Sequence, residues 1–156
     1  MTDPMDALTS FQQALHRGEI DLQPGQLDAD LFVHLDRPAP GVVRFTYVRL
    51  DHQMVKALVN IVRTDPLDGL PCFQIGVAVP VVFRSKGYAK SIVSAAIAEL
   101  QHGLLRNGIS TFYVEAVVSV DNEPSKRVAE AVICPNPMSI TDEVSGLPAH
   151  HYVRKM

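Results

Sequence analysis

Apolar residues at Met5, Leu8, Phe11 and Leu15 recur at helical spacing, and Gly18 supplies a stop, so the chain opens on an amphipathic helix. Beyond it, Pro24-Gly25, Pro38 and Pro40-Gly41 mark turns around one short apolar piece, Leu31-Phe32-Val33. Val43, Phe45 and Tyr47 then alternate with Arg44 and Thr46, the pattern of a half-buried strand. A second strand over residues 54–63 places Val55, Ala57, Val59 and Ile61 on one face. The turn Asp65-Pro66-Leu67-Asp68-Gly69 folds it back antiparallel onto a third strand over 72–79, where Phe73, Ile75, Val77 and Val79 alternate with Gln74, Gly76 and Ala78.

The period changes after residue 88. Ala89, Ile92, Val93, Ala96, Ile97, Leu100 and Leu104 form one face of a long helix, which Asn107-Gly108 ends. Phe112, Val114, Ala116 and Val118 read as the next strand, and a strand-helix-strand order favours a parallel pair with a right-handed crossover. A further helix follows, with Asn122 near its cap and Pro124 in its first turn; Cys134-Pro135-Asn136-Pro137 breaks it. Residues 138–149 read as a loop, and alternation from His151 to Met156 as a last strand. The expected architecture is a mixed α/β layer and not a doubly wound sheet.

Between the third strand and the long helix stands Arg84-Ser85-Lys86-Gly87-Tyr88-Ala89. The first N–H groups of a helix have no intrahelical acceptor, and the macrodipole places partial positive charge there. Gly87 lets a ligand approach the main chain, and Arg84 and Lys86 add cationic side chains. The chemistry is that of an anion site, best suited to a pyrophosphate. The Rossmann alternative lacks its G-x-G-x-x-G run and its acidic residue.

Composition narrows the class. With 47% hydrophobic residues in 156, the chain can bury the core of one domain. A net charge of −3 argues against nucleic-acid binding by charge alone. No run is long enough to cross a membrane as a helix, and the start Met1-Thr2-Asp3-Pro4-Met5-Asp6 does not have the pattern of an export signal. The two cysteines, Cys72 and Cys134, are then reduced thiols in a cytoplasmic protein; too few ligands accompany them for a metal site.

The Arg84–Ala89 run resembles the Q/R-x-x-G-x-G/A acetyl-CoA signature of the GNAT acetyltransferases. The segment Asp121-Asn122-Glu123-Pro124-Ser125-Lys126-Arg127-Val128-Ala129-Glu130 is similar to the N-x-x-S-x-R-V-x-E element of the Rim-like branch, which acetylates ribosomal-protein N-termini. The likeness covers about residues 73–132. It implies a single GNAT-like domain over 1–156, with a central mixed, mostly antiparallel sheet, a splayed parallel strand pair and flanking helices. It implies acetyl-CoA as co-substrate and direct transfer of the acetyl group to a primary amine, on a small molecule or a protein N-terminus. Main-chain groups of Arg84, Ser85, Lys86, Gly87, Tyr88 and Ala89 would hold the pyrophosphate, the strand ending near Val79 would pair with the pantetheine arm, Asn122 would contact that arm, and Ser125 would lie near the thioester sulfur. Ala129 stands where many of the family carry a tyrosine acid, and Ile133-Cys134 where they close on Gly-Phe. A non-catalytic acyl-CoA-binding module of the same fold is the alternative. The expected partner is the amine acceptor, with neither nucleic acid nor membrane; a homodimer is open.

Transfer from a thioester needs a base for the amine, a polarised carbonyl and help for the leaving thiolate. Glu115 is the candidate base: it sits opposite Phe112, Val114 and Ala116 among apolar neighbours, and burial would raise its pKa. A solvent-facing glutamate is the competing reading. Ser125 is the candidate partner of the thiolate or else a first-turn cap, and Asn122 a ligand contact, a cap, or both. Tyr113, on the Glu115 face, is an alternative acid or a packed aromatic; His150 and His151 are able to line an acceptor pocket or serve as a base, and the Asp51-His52 pair to border that pocket.

Overall fold

The structure is a computed structural model that describes residues 3–156. Met1 and Thr2, the start of the segment read for an export signal, lie outside the described residues. The Asp3 carboxylate accepts the Met5 N–H at 2.9 Å and caps helix α1 (Pro4–His16), with Pro4 at the first position, where no N–H is required. Eight strands follow: β1 (Gln23–Pro24), β2 (Phe32–Ala39), β3 (Val42–Asp51), β4 (Met54–Leu67), β5 (Leu70–Ala78), β6 (Tyr113–Ser119), β7 (Met138–Thr141) and β8 (Pro148–Lys155). Helix α2 (Tyr88–Arg106) connects β5 to β6, and α3 (Glu123–Val132) follows β6. The strands hydrogen-bond in the order β1-β2-β3-β4-β5-β6-β8-β7. β5 and β6 are parallel, as strand-helix-strand order demands, while β1–β2, β2–β3, β3–β4, β6–β8 and β7–β8 are antiparallel.

Two compact units emerge, one ending at Val62 and resuming over Gly76–Ser110, the other made of Arg63–Ile75 and Thr111–Met156. In the first, Leu8 and Phe11 of α1 pack on Val48, Val55, Leu58 and Ala78. Helix α2 lies against β3 and buries Ile92, Val93, Ala96, Ile97 and Leu100. Each such side chain removed from water contributes about 1.5–3 kcal/mol. The helix stops where expected, with Gly108 at φ 80° and the Ile109 N–H returning to the Leu104 carbonyl at 2.9 Å.

In the second unit, β8 pairs with both β6 and β7, α3 packs on β6 and β8, and Phe73 meets Phe112 edge-on at 5.8 Å. Within this unit the β5–β6 ladder runs from Cys72↔Tyr113 to Gln74↔Glu115.

Several expectations need correction. Pro38 sits inside β2, at a register shift between Asp36 and Ala39, because a bulge tolerates a residue without an N–H. The turn read over 65–69 contracts to Asp68-Gly69, at φ 50° and 76°; both residues suit the two-residue hairpin turn that requires positive φ, so Pro66 stays in β4. Thr46 and Asn60, read as facing away from the core, are 3% exposed, because β3 and β4 are buried on both faces at mid-strand. The loop expected over 138–149 contains β7 and the start of β8.

Glu99 carries no local signal along the chain. This buried α2 carboxylate accepts the N–H groups of Gln26, Leu27 and Asp28 at 3.0, 2.6 and 2.9 Å and so fixes the segment before β2. Gly25 makes room for it: a Cβ there would lie 2.6 Å from the carboxylate and 2.6 Å from the Asp28 carbonyl oxygen. Burial, and secondarily the Glu99 charge, pushes the neighbouring Tyr47 phenol well above its ordinary pKa.

Candidate functional site

The 84–89 turn does not follow β5 directly. Pro80 starts a short 3-10 turn, Val81–Phe83, closed by bonds from the Phe83 and Arg84 N–H groups to the Pro80 and Val81 carbonyls. The chain then passes through Ser85 at φ 63° and Gly87 at φ 79°. Left-handed backbone thus recurs at alternate residues of the turn, a feature it shares with anion-binding nests. The turn opens onto the start of α2, whose capping residue Gly87 offers no side chain to the first helical N–H groups. Residues 84–87 are exposed. A Cβ on Gly87 would meet no protein atom within 4 Å, so its positive φ, not crowding within the chain, calls for glycine.

The cationic side chains divide. Lys86 is exposed, whereas Arg84 folds back and donates from Nε to the Val79 carbonyl at 2.9 Å, with Nη2 3.8 Å from Met5 Sδ. Phe83 and Tyr88 meet edge-on at 6.3 Å, and Lys56 Nζ lies 5.0 Å from the Tyr88 ring centre. Tyr88 is thereby held at the first helical position.

In the second unit a polar cluster surrounds Glu115. Its Oε2 lies 2.7 Å from His151 Nε2, and its Oε1 accepts the Thr64 hydroxyl at 3.3 Å. Register explains the pair: Glu115 lies opposite Val153 and Val117 opposite His151, so Glu115 and His151 are diagonal neighbours on one face. Glu115 and His151 are half-buried, with side chains 17% and 25% exposed. The apolar surroundings expected for Glu115 are therefore replaced by an imidazole and a hydroxyl. Nearby, burial pushes the Cys72 thiol up, the Thr64 hydrogen bond partly opposes this, and the Glu115 charge adds to it.

Asn122 is a helix cap: its Oδ1 accepts the Ser125 N–H at 3.2 Å. Ser125 is thus the capped residue and not the cap, and its hydroxyl has no protein partner among the described residues. Tyr113 reaches Asp68 at 3.3 Å. Strand alternation separates the two histidines read together: His151 turns to Glu115, while His150 lies beside Tyr152 with ring centres 6.3 Å apart. His52 takes φ 53° in the turn between β3 and β4. Among the described residues no group of His, Cys, Asp and Glu is arranged to hold a metal ion, and no helix is long and apolar enough to cross a membrane.

No family model matches the chain, and no curated protein matches it. Solved structures do. An acetyltransferase of the GNAT family from Streptococcus pneumoniae superposes over 99% of this chain and 96% of its own, with a TM-score of 0.56 at 14% identity. The chain has the GNAT fold. The NatC complex bound to Gag peptide and CoA shares the GNAT fold over 71% of this chain and 70% of its own, at a TM-score of 0.55 and 16% identity. The ribosomal α-N-protein acetyltransferase RimL in complex with coenzyme A gives 0.52 at 14% identity, over 71% of this chain and 61% of its own. Within this fold the turn between β5 and α2 carries Ser85 and Gly87 in left-handed backbone just before the start of α2.

Proposed function

We propose that the 156 residues act as one acetyl-CoA-dependent N-acetyltransferase domain. The observation that carries this is the exposed nest of residues 84–89 before an uncapped 19-residue helix, on a fold shared with acetyltransferases seen with coenzyme A. The amides from Ser85 to Ala89 hold the diphosphate, with Lys86 adding charge. The end of β5 near Val79 pairs through its main chain with the pantetheine arm, which requires Arg84 to share the Val79 carbonyl or release it.

The reaction is direct. The Glu115–His151 pair takes a proton from the acceptor ammonium, its two members sharing the added charge. The free amine attacks the thioester carbonyl, forming the C–N bond and a tetrahedral oxyanion. Collapse breaks the C–S bond; the thiolate leaves with a hydrogen bond from the uncommitted Ser125 hydroxyl and takes the remaining extra proton of the nitrogen, giving a neutral amide and free CoA thiol. The acceptor is a primary amine, and the Rim-like element inclines the reading toward a protein N-terminus.

The test is release of free CoA thiol from acetyl-CoA over a panel of amines. Amine-dependent release, lowered at least tenfold by Glu115→Gln with acetyl-CoA affinity unchanged, supports the enzyme. Ala129 at the position of the usual tyrosine acid favours one other reading, a module that binds acyl-CoA without turnover. Tight acetyl-CoA binding with no release for any amine decides for that module.

A further inference from the structure

The proton-accepting atom of the Glu115–His151 pair follows from the contacts around it, and they bring in a third residue, Thr64. All three lie in the second unit. Glu115 on β6 stands between two donors: His151 comes from the adjacent strand β8, and Thr64 from β4, with β5 between. Each donor meets a different carboxylate oxygen. Oε2 lies 2.7 Å from His151 Nε2, while the Thr64 hydroxyl lies 3.3 Å from Oε1 and 3.2 Å from the Cys72 carbonyl oxygen. A carbonyl and an ionised carboxylate only accept, so Thr64 donates to both and shares its one proton between them. A glutamate on a half-exposed sheet face needs no such support to meet water. Two strands that deliver a donor apiece hold this carboxylate in one orientation.

The orientation of Glu115 fixes the imidazole. A carboxylate has no proton to give, so the nitrogen 2.7 Å from it carries one; in the neutral ring the hydrogen is on Nε2 and the lone pair on Nδ1. That Nδ1 has no hydrogen-bond partner among the described residues, and it is not sealed from solvent as the Nδ1 of neighbouring His150 is. Met138, opposite His151 on β7, is exposed, so that side of the ring has no bulky cover from its strand partner. Both Glu115 oxygens are engaged, and Nδ1 is the basic atom left uncommitted. Cys72, a further titratable side chain beside Glu115, is buried with its thiol pushed up, so it stays neutral and does not compete for the proton.

We infer that Thr64 and Glu115 are positioning residues that hold His151 in its Nε2–H tautomer, and that His151 Nδ1 is the atom that takes the acceptor's proton; the second half rests on the proposed acetyl transfer. In the step, Nδ1 gains a proton from the ammonium and the amine keeps the lone pair. The ring becomes an imidazolium with an N–H on each nitrogen, its charge beside the Glu115 carboxylate, and Nδ1 later returns the proton to solvent. Long-range proton–nitrogen NMR of the full chain without coenzyme, at a pH where the ring is neutral, reads the tautomer. Parent His151 should be Nε2–H, Thr64→Val should give a mixture of tautomers, and Thr64→Ser should restore the parent spectrum. An Nδ1–H parent ring, or a Thr64→Val spectrum identical to the parent's, would overturn the inference. Thiol release from acetyl-CoA with an amine acceptor reads the roles. Thr64→Val should lower kcat about fivefold, the worth of one hydrogen bond, with the KM for acetyl-CoA unchanged. Added imidazole should restore turnover to His151→Gly, whereas formate should not restore it to Glu115→Ala. Formate rescue of Glu115→Ala without imidazole rescue of His151→Gly would make Glu115 itself the base and overturn the assignment. Absence of release from the parent would remove the acetyl-transfer reading alone, because the tautomer measurement contains neither coenzyme nor turnover and decides the Thr64–Glu115–His151 arrangement by itself.

Discussion

Gly87→Ala separates the nest from the rest of the fold, because the molecule supplies its own control. Gly87 and Gly108 stand at opposite ends of α2, at φ 79° and 80°, and a Cβ at either meets nothing within 4 Å. Alanine at each therefore imposes the same left-handed strain, about 1–2 kcal/mol. For a chain of this size each kcal/mol corresponds to roughly 2–4 °C of Tm, so both apo variants should melt roughly 2–8 °C below the parent. Ligand separates them. At acetyl-CoA about 100 times Kd the parent gains about 2.7 kcal/mol. A Cβ in the nest that weakens binding tenfold, about 1.4 kcal/mol, halves that gain to about 1.4 kcal/mol at the same concentration. The coenzyme-induced rise in Tm should thus be halved in Gly87→Ala and complete in Gly108→Ala. Differential scanning fluorimetry with and without acetyl-CoA reads both quantities. Equal coenzyme-induced rises in the two variants would refute the nest as the diphosphate site.

Four other outcomes follow from the geometry. Glu115→Gln and His151→Gln should each lower turnover, and the double variant should be little worse than either, because the two side chains act as one unit; additive losses in the rate cycle would show separate roles. Glu99→Ala orphans three N–H groups around a buried site and should cost about 3–5 kcal/mol in urea unfolding, whereas a loss under about 1 kcal/mol would mean that water replaces the carboxylate. Asp28 is held below the ordinary carboxylate range first by its hydrogen bond to Arg49 and then by the Asp30 N–H. Its contribution is complete above the unfolded-state pKa and is lost as pH falls through the lower folded value, so Asp28→Asn should flatten the acid limb of stability and leave its pH 6–8 slope unchanged. Cys72, buried and with its thiol pushed up, should resist alkylation in the native protein, while the partly exposed Cys134 reacts first; mass spectrometry of the labelled chain distinguishes them.

What the sequence disclosed was what local signals carry. The face of α2, its end at Asn107-Gly108 and the β5-α2-β6 order all repeat a period over many residues or rest on a glycine at a fixed offset. The glycine-bearing turn at 84–89 was legible for the same reason, since six consecutive residues set its backbone. Features joined across the chain were not. Thr46 and Asn60 read as polar outward positions until helices cover both faces of their strands. Glu99 finds its partners 71 to 73 residues away, and the Glu115–His151 pair depends on a β6–β8 register that alternation alone does not fix.

The missing tyrosine at Ala129 bears less on the proposed catalysis than the base does, for a reason that separates the candidate acceptors. A thiol has a pKa near 8.5, so it leaves as thiolate with only hydrogen-bond help of the kind a serine provides. The nucleophile is where acceptors differ. An α-amine with a pKa of about 7.8 is roughly 14% neutral at pH 7, while a lysine-like amine at about 10.4 is roughly 0.04% neutral. An enzyme for protein N-termini therefore needs its base far less than one for side-chain or polyamine nitrogens. Glu115→Gln turns this into a measurement. With an α-amine acceptor its rate deficit at pH 7 should shrink toward the parent by pH 9, where the amine deprotonates unaided. With an alkylamine the deficit should persist across that range. A deficit on α-amines that stays constant to pH 9 would show that Glu115 and His151 position the acceptor and do not take its proton.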